Sequence, residues 1–215
     1  MTWRFGPENS LEAFAAAMRV PACDGVEFDV RLSRDGVPVI LHDQDARARA
    51  GSAGPGGRAH RGGPRRLRHP AALQAVLDLL GPEPHLDVEL KGDDHDEATA
   101  SLLRRARGDH GERAVVSSFN PPSILAMARL LPGWTRWFGT LDMRPAVLEQ
   151  AVELRCHGIA TDYKFITPSS LRRAQALGLE VAAWTIRRRP TVARLDRLGV
   201  VAQCVEAKAL DGEAA

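Results

Sequence analysis

The feature that most constrains this chain is the regular alternation of short apolar runs with amphipathic helical patterns. Runs at 25–30 (GVEFDV) and 37–43 (VPVILHD) flank Asp35-Gly36, a tight-turn pair, and are expected to form a strand and its hairpin partner. Further strands are expected at 85–90, 113–119, 135–141, 157–162 and 180–186, with a weaker one at 199–205. Helical periodicity fills the intervals near 71–80, 96–107, 121–131, 145–154, 168–177 and 190–198. Pro121, Pro168 and Pro190 suit first-turn positions, where a missing N–H is harmless. Gly178 and Gly199 fall where a helix gives way to a strand. Asn9 followed by Glu12 marks the cap of an earlier helix carrying Leu11, Phe14, Ala15 and Met18. Strand and helix repeated this often predict an α/β chain, a (β/α)8 TIM barrel. With the hairpin counted as an elaboration, seven core strands are visible. The reading therefore expects the first strand to be absent from the chain as numbered and the last to be degenerate.

At 215 residues the chain is expected to form one domain spanning 1–215. The segment 46–69, built from Gly, Arg, Ala and Pro with little periodic apolar content, is expected to be a flexible loop. A formal net charge of +2 offers no electrostatic case for a nucleic-acid partner. No apolar run approaches membrane-spanning length and no leader pattern opens the chain. Cys23, Cys156 and Cys204 are widely spaced and odd in number, so free thiols in a reducing, cytoplasmic setting are expected.

Chemistry-bearing residues concentrate at strand ends. Glu27 and Asp29 are two apart, so their side chains leave one face, while Val26, Phe28 and Val30 leave the other. Glu89 and Lys91 repeat this arrangement in DVELK. Both pairs fall at the C-terminal ends of strands, where barrels of this kind carry their active sites. Three carboxylates converging there would repel unless a cation or protons intervened. Oxygen-only ligands suit Mg²⁺ or Ca²⁺ rather than zinc. The plainer alternative is that these acids are solvated or paired with nearby arginines. His42, after four apolar residues, is either a hydrogen-bonded strand-end residue or a proton-transfer group returned by the hairpin toward Glu27 and Asp29.

The fragments PENSLEAF, GVEFDVRLSRDGVPVILHD, VELK, SSF and GLEVAAWTI occur here in the order and approximate spacing of the glycerophosphodiester phosphodiesterases. The likeness runs from about residue 7 to about residue 198, with a break at 46–69. The series E-x-D, H-D, E-x-K makes it fairly specific. The resemblance implies hydrolysis of small glycerophosphodiesters to glycerol 3-phosphate and an alcohol. By position it makes Glu27, Asp29 and Glu89 ligands of a divalent cation, Mg²⁺ or Ca²⁺. It makes His42 one of two acid/base histidines and Lys91 a catalytic group that also holds the phosphate. Phe119 and Trp184 would line the substrate pocket, although both also suit plain packing. Asp43, Ser117 and Ser118 would support or line the same site.

The chain departs from that family's pattern in places. The family's first strand ends in His-Arg-Gly and supplies the second histidine, whereas no histidine precedes His42 here. Arg4 cannot take that part, because a guanidinium does not exchange protons at working pH. The string His60-Arg61-Gly62 follows no strand and is expected to be coincidental. Low or absent hydrolysis by the chain as numbered is therefore expected, and a barrel that binds metal and phosphodiester without turnover is the alternative. A Schiff-base role for Lys91 would leave Glu27, Asp29 and His42 without a shared purpose. Asp93, Asp94, His95 and Asp96 open a helix, whose dipole favours acids there in any case.

Overall fold

A computed structural model describes residues 2–3, 6–42, 70–92, 96–206 and 208–211. The loop expected at 46–69 lies outside these residues, as do Asp43, His60-Arg61-Gly62 and Asp93 to His95. β1 (Thr2–Trp3) and β2 (Gly6–Pro7) pair antiparallel. α1 (Leu11–Ala17) leads into β3 (Gly25–Leu32), and β4 (Pro38–Ile40) returns against it. Strands and helices then alternate: α2 (Leu73–Leu80), β5 (His85–Leu90), α3 (Asp96–Arg107), β6 (Ala114–Ser118), α4 (Pro121–Leu130) and β7 (Thr135–Thr140). They are followed by α5 (Pro145–Glu153), β8 (Gly158–Asp162), a 3₁₀ turn (Tyr163–Phe165), α6 (Pro168–Ala176) and β9 (Glu180–Ile186). α7 (Arg189–Leu198), β10 (Ala202–Val205) and α8 (Lys208–Asp211) complete the order.

One eight-stranded sheet runs β10-β9-β8-β7-β6-β5-β3-β4, parallel throughout except for the β3–β4 hairpin. The described core strands are thus the seven expected. The sheet curls as a barrel does, and among the described residues its two edges do not pair. Cys204 on β10 nonetheless lies close enough to Glu27 on β3 to feel its charge, so the flanks bend toward one interior. β10 is irregular, its register with β9 shifting between Gln203 and Val205, in keeping with a degenerate last strand.

The layers follow from the period-two pattern. Phe28, Val30, Val88 and Leu90 face outward and are at most 1% exposed. They pack with Phe14, Leu73, Val76, Leu103 and Met127 of the helices. Phe14 meets Phe28 edge-on at 5.8 Å, a favourable aromatic geometry. A second core joins β7–β9 to α5–α7 through Leu148, Ile159, Leu171 and Leu195. Gly178 and Gly199 hold φ of 74° and 81°, the left-handed values that end α6 and α7.

One expectation needs correction. The α1 cap is Ser10, whose Oγ accepts from Ala13 N at 3.2 Å, and not Asn9. Asn9 sits at φ 54°, and its amide is turned to β3, where Nδ2 donates to Asp29 Oδ2 at 2.7 Å. A side chain engaged by the sheet cannot also cap the helix.

Candidate active site

β3 and β5 run in register with Glu27 beside Asp87 and Asp29 beside Glu89. Because Phe28, Val30, Val88 and Leu90 are drawn into the outer core, the alternating acids have only the barrel interior left. Each of Glu27, Asp29 and Glu89 offers a carboxylate oxygen, and these three atoms lie within 4.8 Å of one another. Lys91 Nζ stands 3.0 Å from Asp29 Oδ1 and is also ion-paired with Glu89 Oε1. Asp29 is buried and further held by Asn9, whose Oδ1 accepts from Asp29 N at 3.4 Å.

The electrostatics show crowding of like charge. Burial, then Asp29, Asp87 and Glu89, push Glu27 well above the ordinary carboxylate range. Glu27 is crowded by protein yet still reached by water. Burial also raises Glu89, against the opposing pull of Lys91. Asp87 is pushed up to about 7 by burial, with the Ser117 hydroxyl, donating to Oδ1 at 2.6 Å, working the other way. Burial alone would lower Lys91, but Glu89 and Asp29 outweigh it and keep the ammonium protonated. A protonated amine is a poor Schiff-base nucleophile, so the geometry does not favour that role.

These shifts carry a sign for stability. An acid whose folded pKa is raised binds more protons folded than unfolded, so stability falls as pH climbs from near 4 through about 7. In chelator, melting temperature is expected to fall steadily from pH 5 to pH 8. Excess Mg²⁺ or Ca²⁺ should flatten that slope, because a bound cation replaces the protons. Calorimetric scans at both pH values, with and without the ion, check this.

The other expected site residues also lie at this mouth. His42, exposed and just beyond β4, is close enough for its charge to act on Glu89. Phe119 follows β6, with Lys91 Nζ 5.6 Å from its ring centroid, and meets Trp184 edge-on at 5.8 Å. The buried Trp184 Nε1 has no hydrogen-bond acceptor among the described residues. Ser117 points inward to Asp87, whereas Ser118 is buried and ties β6 to Leu90 O at 2.7 Å. Arg187, at the start of the RRRP run, is ion-paired with Glu206 at 2.9 Å.

Sequence reasoning missed three participants. Asp87 obeys the same period-two rule as Glu89 and could have been found by extending it one step back. Cys204 lies close enough to Glu27, Asp87 and Glu89 to feel their charge, and burial pushes its thiol well up. Arg31 donates to the carbonyls of His42 and Lys91, a contact with no signature in composition or spacing.

The donor set fits a hard divalent cation. The ligand atoms are all carboxylate oxygens, they converge, and one ammonium cannot offset the charge of Glu27, Asp29 and Glu89 together.

A curled, mostly parallel sheet flanked by helices, with its polar centre on strand ends, defines a (β/α)-barrel protein. The chain belongs to the glycerophosphoryl diester phosphodiesterase family, whose model matches residues 4–207, and so to the phosphoric diester hydrolases. A glycerophosphodiester phosphodiesterase of Caldanaerobacter subterraneus is 24% identical over 225 residues, covering 90% of this chain and 86% of the relative. Among solved structures, an Oleispira antarctica phosphodiesterase in complex with the product sn-glycerol-3-phosphate matches with TM-score 0.74 and 21% identity. That match covers 96% of this chain and 89% of the other. A glycerophosphodiester phosphodiesterase of Agrobacterium tumefaciens matches with TM-score 0.72 and 22% identity over 98% and 99% of the two chains. These likenesses establish the barrel fold. Among the described residues no helix is long and apolar enough to cross a membrane.

Proposed function

We propose that this chain is a single hydrolytic unit that cleaves small glycerophosphodiesters to glycerol 3-phosphate and an alcohol, using a divalent cation, Mg²⁺ or Ca²⁺. The observation that carries this reading is the convergence of Glu27, Asp29 and Glu89 oxygens within 4.8 Å, with Lys91 bridging two of those acids. The three carboxylates would hold the ion, which when bound withdraws charge from the phosphoryl oxygens. Lys91 binds a phosphate oxygen and stabilises the charge that builds up on it. His42, at the open edge of the site, moves the proton to or from the reacting oxygen. Phe119 and Trp184, packed edge-on, form the apolar side of the site. Three free cysteines agree with a reducing, cytoplasmic setting.

Among the described residues His42 is the histidine whose charge reaches Glu89, so we assign it the proton transfer. General acid–base assistance contributes roughly 10²–10⁴ in rate, so removing the His42 imidazole is expected to slow turnover by about that factor. The exposure of His42 at the edge of the site favours a second reading, a barrel that binds the diester and metal without cleaving it.

The test is release of glycerol 3-phosphate from glycerophosphocholine with Mg²⁺ or Ca²⁺, compared with chelator and with the E27A/D29A variant. Ion-dependent release lost in the variant supports hydrolysis. Thermal stabilisation by ion and diester without release supports the binding reading. No effect of either ion on melting or turnover overturns both.

A specificity prediction arises at Gly139 on β7. A Cβ there would lie 2.5 Å from Phe119 Cδ2, so Gly139→Ala must push the ring off Trp184 and Lys91. The aromatic pairing it disrupts is worth about 0.5–1.5 kcal/mol of stability, so the melting temperature should fall by about 1–6 °C, and KM should rise because the ring leaves the apolar side of the site. Steady-state kinetics and a melting curve on the variant measure both quantities.

A further inference from the structure

We propose that Arg31 is a positioning residue that locks His42 and Lys91 in a fixed relation. This rests on the hydrolytic reading above. β4 pairs with β3 only through Val30, Arg31 and Leu32, and the last backbone tie toward His42 is Leu41 N to Asp29 O at 2.9 Å. Lys91 likewise stands just past the end of β5, its N–H donating to Val30 O at 3.0 Å. Both side chains thus leave the backbone where sheet pairing stops. Arg31 supplies what the ladder no longer does. Its Nε and Nη2 donate to His42 O at 3.1 and 2.9 Å, and its Nη1 donates to Lys91 O at 3.2 Å.

The geometry is specific to a guanidinium. A planar fork with donors on several nitrogens can hold two carbonyls at once and fix the direction of each peptide, whereas one ammonium cannot reproduce the fork. Among the described residues Arg31 makes no ion pair, so its three bonds go to backbone oxygens of two functional residues and to no acid. Fixing His42 O limits rotation of the peptide that carries the imidazole. Fixing Lys91 O holds the stem whose Nζ lies between Asp29 and Glu89. Arg31 touches no reacting atom in this scheme and acts through the two residues it holds.

The test compares Arg31→Met and Arg31→Lys with the unsubstituted chain. Misplacement of about 1 Å costs up to about 10²-fold, so R31M is expected to lower kcat about 10- to 100-fold and to leave KM within about twofold. R31K keeps the charge but not the fork and is expected to recover only a minor part of the rate. In an H42A background, R31M should cost less than in the unsubstituted chain, because one of the two partners it orients is gone and only the Lys91 contact remains to be lost. Full recovery by R31K, or equal cost in both backgrounds, overturns the proposal. A second readout does not depend on turnover. The imidazole Cε1–H resonance of His42 should shift and broaden in both variants. Those of His85, His110 and His157, near strand N-terminal ends, should stay put. An unmoved His42 resonance overturns the positioning role even if the chain hydrolyses nothing, and absent turnover in the unsubstituted chain counts against the hydrolytic reading alone.

Discussion

Replacing Asp29 by asparagine is expected to lower kcat/KM for glycerophosphocholine by about 10³-fold or more and to remove the response to Mg²⁺ or Ca²⁺. Asp29 is the most enclosed of the three converging acids, and it meets Asn9 at 2.7 Å and Lys91 at 3.0 Å. The amide keeps the size and shape but carries no charge, so the cluster loses attraction for a dication and its grip on Lys91 together. Loss of one electrostatic stabiliser typically costs about 10²–10³, and here a cation ligand is removed as well. A factor of 10³ corresponds to about 4 kcal/mol of transition-state stabilisation. The fold should survive, because Phe28 and Val30 beside it remain in the outer core and one of several repelling charges is gone. The assay is glycerol 3-phosphate release across an ion titration, with circular dichroism as the fold control. A variant that keeps its ion dependence and a third of its rate would remove Asp29 from the centre.

Lys91→Met should be nearly as damaging, lowering kcat by about 10²–10³-fold, since the group facing a phosphate oxygen is lost. Its effect on stability differs from that of D29N. Lys91 is what pulls Glu89 down against burial, and it does the same for Glu27 and Asp87. Without it those acids rise further, so the folded chain must stay protonated or accept unpaired buried charge. The stability gap between the variant and the unsubstituted chain should therefore widen from pH 5 to pH 8 in chelator. Excess divalent ion should narrow it. Denaturant melts at the two pH values decide the point, and a gap independent of pH would mean that Lys91 does not hold the acids.

Much of this arrangement is legible in the chain alone. Glu27 with Asp29, and Glu89 with Lys91, share a face because strand side chains alternate, and the apolar residues between them say which face is the core. The strand at 85–90 and the helix at 96–107 fall where the structure has them. Pro121 and Pro168 open helices, and Gly178 and Gly199 close them. Local rules carry these elements because each depends on neighbours within one turn or one strand. Asn9 shows where local rules stop. It has the chemistry of a cap, but Asp29, twenty positions away, claims its amide and Ser10 takes the cap.

The sequence by itself determined the kinds of element, their order, and which side chains each strand turns away from the helices. These follow from steric alternation and from the transfer of apolar surface out of water, both short-range in the chain. Only the tertiary structure decided that Asp87 lies beside Glu27, that Cys204 on the last strand feels the same acids, and that Arg31 grips Lys91 sixty positions away. Register and curl set those distances. They arise from packing whole strands and helices against one another, and no stretch of residues read alone contains that information.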